Sequence, residues 1–64
     1  MELLNVDELA TLLQVSRSKV VLMAKAGEIP AYLVLGKLRF DATEIEEWLK
    51  RRRVKPDDPV RLEI

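Results

Sequence analysis

Apolar residues recur through the first part of the chain at helical spacing. Val6, Leu9, Ala10 and Leu13 fall at i, i+3, i+4 and i+7, one face of an α-helix, and Leu12 widens the stripe. Asn5 precedes the run as an N-cap. Glu8 stands three positions later, where its carboxylate reaches back to the cap's own N–H, so the pattern predicts a helix over 6–13. Ser16 supplies a second cap. Val20, Met23 and Ala24 repeat the spacing until Gly27, a residue that tolerates a left-handed helix stop. Two short helices are thus joined by a tight turn at Gln14-Val15-Ser16.

The texture changes after Gly27. Pro30 cannot continue a helix, and Tyr32 to Phe40 is rich in strand formers with Gly36 and Lys37 near its middle, which predicts a β-hairpin. Strand alternation puts Tyr32 and Val34 inward and Leu33 and Leu35 outward. Asp41 then caps a third helix with Glu44 at the capping-box position. Ile45, Trp48 and Leu49 form its apolar face, its end is expected near Arg53, and Glu46–Lys50 and Glu47–Arg51 are i,i+4 pairs on its exposed side. Trp48, Tyr32 and Phe40, the only aromatics, read as core residues. Pro56-Asp57-Asp58-Pro59 breaks the helix, with the two acids read as a turn. The expectation is a single domain over 1–55 and a tail over 56–64. In that tail Val60, Leu62 and Ile64 alternate with Arg61 and Glu63, either as an edge strand that pairs with the wing of a neighbouring copy or as a tail that is frayed or folds back on its own core.

Composition narrows the chemistry. At 64 residues the elements must share one thin core, and there is no Cys or His. Disulfide scaffolds, zinc sites, thiol nucleophiles and histidine acid/base pairs are removed together. Thr11, Ser16, Ser18 and Thr43 have no histidine to activate them, and two glycines make no phosphate loop. The expectation is a protein that is not an enzyme, with no cofactor, metal or small-molecule substrate. Apolar runs are short and no charged-then-apolar leader is evident, so neither membrane insertion nor export is expected, and the protein is read as cytoplasmic.

Net charge is zero, yet the charges are segregated. Glu2, Asp7 and Glu8 make the first segment acidic, whereas Arg17, Lys19, Lys25, Lys37 and Arg39 face only Glu28 in the middle. Asp41, Glu44, Glu46 and Glu47 follow, then Lys50, Arg51, Arg52, Arg53 and Lys55. A neutral total therefore does not exclude a polyanionic partner.

Helix, tight turn, helix, hairpin, helix is the order a winged helix-turn-helix needs, an α+β fold in which the first helix braces the second and the hairpin forms an arm beside it. From Leu4 to Leu49 the chain resembles the excisionase-like, MerR-like winged helix-turn-helix proteins of bacteria and phages. The resemblance is carried by Val6-Asp7-Glu8-Leu9-Ala10, Leu13, Val15-Ser16-Arg17, Val20, Gly27-Glu28-Ile29-Pro30-Ala31, Arg39-Phe40, Glu44-Ile45 and Trp48-Leu49. It implies a nucleoid-associated protein that binds double-stranded DNA with its second helix in the major groove and its wing on the backbone or minor groove. Such a protein acts as a transcriptional regulator or as an excisionase-type recombination factor.

The candidate DNA-binding residues are Ser16, Arg17, Ser18, Lys19 and Leu22 on the second helix with Lys37 and Arg39 on the wing. Basic side chains in a helix's first turn oppose its dipole, so a stabilising role explains Arg17 and Lys19 less well than phosphate contact does. Lys37 and Arg39 suit phosphates or the protection of a strand edge. Lys25 and Lys50 to Arg53 are equally well explained by the helix C-termini they occupy. Six positions depart from the family, among them Leu38, a core swap for a frequent tryptophan. Val21 and Leu22 replace an aromatic and an arginine, and Leu33 and Leu35 replace a basic residue and a glycine; in addition Gln14 stands in place of a turn glycine. Apolar side chains can touch thymine methyls but cannot make the bidentate hydrogen bonds that discriminate bases. A second reading, a protein-interaction or oligomerisation module that kept the fold, rests on Val21, Leu22, Leu33 and Leu35 as a self-association patch.

Overall fold

The computed structural model describes residues 1–60. Six elements follow in order: β1 (Leu3–Leu4), α1 (Val6–Leu13), α2 (Arg17–Lys25), β2 (Tyr32–Val34), β3 (Lys37–Asp41) and α3 (Ala42–Lys50).

Local chemistry sets the helix ends. Asn5 accepts from the Glu8 N–H at 2.7 Å while the Glu8 carboxylate accepts from the Asn5 N–H at 2.9 Å, a complete capping box. α1 closes with Gln14 at φ 58; its N–H reaches the Thr11 carbonyl and the Val15 N–H reaches that of Ala10. α2 closes the same way, with Gly27 at φ 72, Gly27 N–H to the Ala24 carbonyl and Glu28 N–H to that of Met23. Both are Schellman closures, one on the residue suited to the left-handed region and one on glutamine. Ser16 caps α2 by accepting from the Lys19 N–H at 3.1 Å, so three residues are enough to turn the chain.

The core is small. Leu9 and Ala10 of α1, Val20 of α2, Ile29 of the connector, Phe40 of β3 and Ile45 of α3 are buried together, with Leu4, Val6, Leu13, Met23, Ala24, Ala31, Leu38 and Trp48 packed around them. The sheet is antiparallel in the order β1-β3-β2. β1 pairs Leu3 with Asp41 and Leu4 with Phe40, and the Ala42 N–H reaches the Glu2 carbonyl at 2.9 Å. The sequence pattern predicts no strand here, since two residues carry no period.

Hairpin parity is the reverse of the expectation. The register is Tyr32↔Arg39, Leu33↔Leu38 and Val34↔Lys37. Phe40 and Leu38 face the core, and partners in an antiparallel ladder share a face, so Leu33 belongs to the inner side and Tyr32 and Val34 to the outer side with Arg39 and Lys37. Leu33 remains 72% exposed even on that inner side, where it lines an open concavity with Ala24 and Lys25 of α2. The register is pinned by a two-residue turn, Leu35 at φ 50 and Gly36 at φ 78. Positive φ at both positions matches the twist of a tight hairpin, but a leucine held there costs about 1 kcal/mol.

Other expectations are revised in detail. Tyr32 is 42% exposed rather than core; its hydroxyl donates to Glu44 at 2.7 Å. Glu44 therefore does not complete a capping box, and Asp41 caps α3 alone by accepting from the Thr43 N–H at 3.0 Å. Leu12 and Leu49 lie largely outside the core. α3 ends at Lys50, earlier than Arg53, because the following N–H groups of Arg52 and Arg53 turn to carbonyls three residues back. Lys50 pairs with Glu46 at 3.6 Å and with Glu47 at 3.7 Å, so the expected Glu47–Arg51 pair gives way to Glu47–Lys50. Trp48 is half-buried, donates from Nε1 to the Glu28 carbonyl at 2.8 Å and carries the Arg52 guanidinium 3.9 Å above its ring. Asp58 closes a turn, accepting from the Lys55 N–H at 2.9 Å. Val60 is exposed, and Leu62 and Ile64 lie outside the described residues.

The two left-handed non-glycine residues are the points where the backbone is least suited to its sequence. Gln14→Gly and Leu35→Asn are each expected to raise the unfolding free energy by about 0.5–1 kcal/mol in denaturant titrations, with unchanged m-values.

Candidate nucleic-acid interface

The first turn of α2 presents Arg17, Ser18 and Lys19 to solvent, while Ser16 is engaged as the cap. The Ser16 Oγ takes one of the free N–H groups of this helix end, and its own hydroxyl proton stays available as a donor. Arg17 is anchored across the interhelix turn, with Nε donating to the Asp7 carboxylate of α1, both side chains being mostly exposed. An exposed pair of this kind contributes up to about 1 kcal/mol, which a phosphate can replace, and the two terminal nitrogens of the guanidinium remain free to fork.

The wing brings its cations to the same place. Arg17, Lys37 and Arg39 line one cleft of about 430 Å³ with Asn5, Val6, Asp7, Gly36 and Leu38. Arg39 is half-buried, and its Nη1 donates to the Leu38 carbonyl at 2.8 Å, which holds one edge of the guanidinium beside the strand. A second concavity, about 370 Å³, is lined by Arg17, Ser18, Val21 and Leu22. Arg17 thus stands between the wing cleft and the outer face of α2. Lys19 lines neither, although it is exposed on the same helical turn.

Among the described residues Lys19, Lys37 and Arg39 have no carboxylate within ion-pair distance. The cations at the end of α3 are used differently, Lys50 on two glutamates and Arg52 on Trp48. The seven candidate residues consequently divide three ways. Arg17, Lys37 and Arg39 meet in one cleft. Ser18 and Leu22 join Arg17 in the next. Ser16 and Lys19 flank the helix start.

Asp7 and Asn5 belong to the cleft and were not singled out from the sequence. Asp7 lies ten residues from Arg17, on another helix, and nothing in local spacing links them; the acid alone is explained by its place in the first turn of α1. The four apolar departures at Val21, Leu22, Leu33 and Leu35 are dispersed as well. Val21 is half-buried beside Leu22, which is 63% exposed. Leu33 lines a different concavity with Ala24, Lys25, Ala31 and Leu38, and Leu35 stands at the hairpin tip. At the base of the wing, the hydrogen bond to the Glu44 carboxylate holds the Tyr32 phenol above the usual tyrosine value.

Among the described residues no helix is long and apolar enough to cross a membrane. A family model described as a helix-turn-helix domain matches residues 3–53, from the start of β1 to the turn that follows α3. Neither the curated proteins nor the solved structures gave a match. A helix-turn-helix domain points to DNA as the partner, and here the three-stranded sheet supplies the wing. With that match covering most of its length and all six of its elements, the chain belongs to the helix-turn-helix domain family, of the excisionase-like kind.

Proposed function

We propose that the protein binds double-stranded DNA by setting α2 into the major groove and the β2–β3 wing on the adjacent backbone, and that it works without catalysis as a transcriptional regulator or an excisionase-type recombination factor. The observation that carries this reading is the convergence of Arg17 from α2 with Lys37 and Arg39 from the wing on one cleft, with the unpaired Lys19 on the same turn as Arg17. Phosphates along a groove edge meet such a set from two sides.

Base reading is sparse. Ser18 and Leu22 are the side chains on the outer face of α2 able to approach base edges, one through a single hydroxyl and the other through contact with thymine methyls. Affinity then comes mainly from phosphates and selectivity mainly from DNA shape, which supports an architectural role in recombination over the reading of a long operator. A second reading, association through the exposed Leu22 and Leu33, is favoured by the apolar concavity of about 510 Å³ beside Leu33.

Binding to duplex DNA across a salt series separates the two. With four phosphate contacts the slope of log affinity on log salt should be about −3 to −4, and Lys37→Ala or Arg39→Ala should each reduce it by about one on every sequence. Failure to bind at low salt, together with self-association in sedimentation, would replace the first reading by the second.

Asp7 supplies a further check, because its carboxylate sits in the cleft where phosphate is expected and occupies one nitrogen of Arg17. Asp7→Asn should keep the fold and tighten DNA binding by about two- to fivefold at low salt, the equivalent of losing one exposed ion pair.

A further inference from the structure

The tip of the wing carries a side chain that the fold does not use. Leu35 is 97% exposed, the most exposed of the described leucines, and it sits at φ 50, where the backbone favours glycine or asparagine. Its neighbour Gly36 has nothing within 4 Å of where a Cβ would stand, so the tip is slim. The next residue, Lys37, and the partner of Tyr32, Arg39, line the cationic cleft at the base of this tip. A disfavoured backbone conformation bearing an apolar side chain in open solvent, next to unpaired cations, is unaccounted for by packing. Gln14 has the same backbone strain but closes a helix, whereas Leu35 closes only the turn and projects its side chain into solvent, and strain of this kind clusters at ligand-contacting positions.

We infer that Leu35 is a wedge for DNA, inserted from the minor groove between two stacked base pairs while Lys37 and Arg39 hold the flanking phosphates. The inference rests on the DNA-binding reading and adds to it the device by which the duplex is bent. Leucine is among the side chains used to open base steps in this way, and the kinks that result are about 20–90° toward the major groove. The two-residue turn suits the task. The Val34↔Lys37 pair closes directly beneath it, so Leu35 projects from a paired ladder and not from a loose loop. Pyrimidine–purine steps unstack most readily, so the wedge gives the protein a preference for such steps without any hydrogen bond to a base edge.

The test uses the full chain on a short duplex with fluorophores at its ends and 2-aminopurine placed beside a central TA step, compared with the same duplex lacking any pyrimidine–purine step at its centre. The wild-type protein should shorten the end-to-end distance and raise the 2-aminopurine fluorescence on the first duplex more than on the second. Leu35→Asn should bind with the same salt slope but lose both signals, even though it is the more stable protein; Leu35→Met, which keeps an apolar side chain, should retain both. Bending that persists in Leu35→Asn overturns the wedge. So does wild-type binding with the expected salt slope but no bend or unstacking, which leaves the DNA-binding reading standing. A Leu35→Asn protein that bends DNA normally but sediments differently assigns Leu35 to protein contact instead. Absence of wild-type binding at low salt overturns both readings.

Discussion

The fold depends on the burial of Phe40. Its side chain is fully enclosed among Leu9, Val20, Ile29 and Ile45, so one residue touches the burial needs of all three helices and the connector. Its backbone lies in the central strand, opposite Leu4 of β1, and the strand runs directly into the cap of α3 at Asp41. Enclosing a phenylalanine is worth roughly 3–5 kcal/mol as judged from truncation to alanine. A domain of this size has about 3–10 kcal/mol of stability in all, taking about 0.05–0.15 kcal/mol per residue. Phe40 also sets the parity of the wing, since the face it turns to the core determines which side Lys37 and Arg39 occupy.

Helix limits were legible because they are written in neighbouring residues. Asn5 with Glu8, Ser16 with the Lys19 N–H, and Gly27 after Ala26 are local arrangements, and the bounds of α1 and the stop of α2 follow from them. Long-range consequences were not legible. β1 has no pattern of its own and exists because β3 offers an edge. Glu44 stands where a capping box needs it, yet a tyrosine twelve residues earlier takes its carboxylate. The hairpin's parity came out reversed because alternation says which residues share a face but not which face is the inner one, and Leu38 and Phe40 on the partner strand decide the matter.

The candidate site shows the same division. Charge segregation along the chain pointed to Arg17, Lys37 and Arg39, and these three do share a cleft. Their acid companion, Asp7, came from the segment that had looked merely acidic. At the end of α3, Lys50 is held by two glutamates and Arg52 by an aromatic ring, whereas among the described residues Arg17 alone on α2 and the wing has a carboxylate partner and Lys37 and Arg39 have none. A chain with no net charge thereby keeps a cluster of three cations in one cleft with a single carboxylate among them.

The tie between Tyr32 and Glu44 has a mechanical meaning. It fastens the wing to α3 at the hairpin's root, whereas the tip at Leu35 and Gly36 is fastened to nothing. The wing is therefore a cantilever rather than a hinged flap. A load applied at its free end is carried as flexure along the paired strands and delivered at the clamped end to α3, whose Trp48 is itself pinned to the connector after α2. The lever arm is only three paired positions long, so a load at the tip is delivered close to its root.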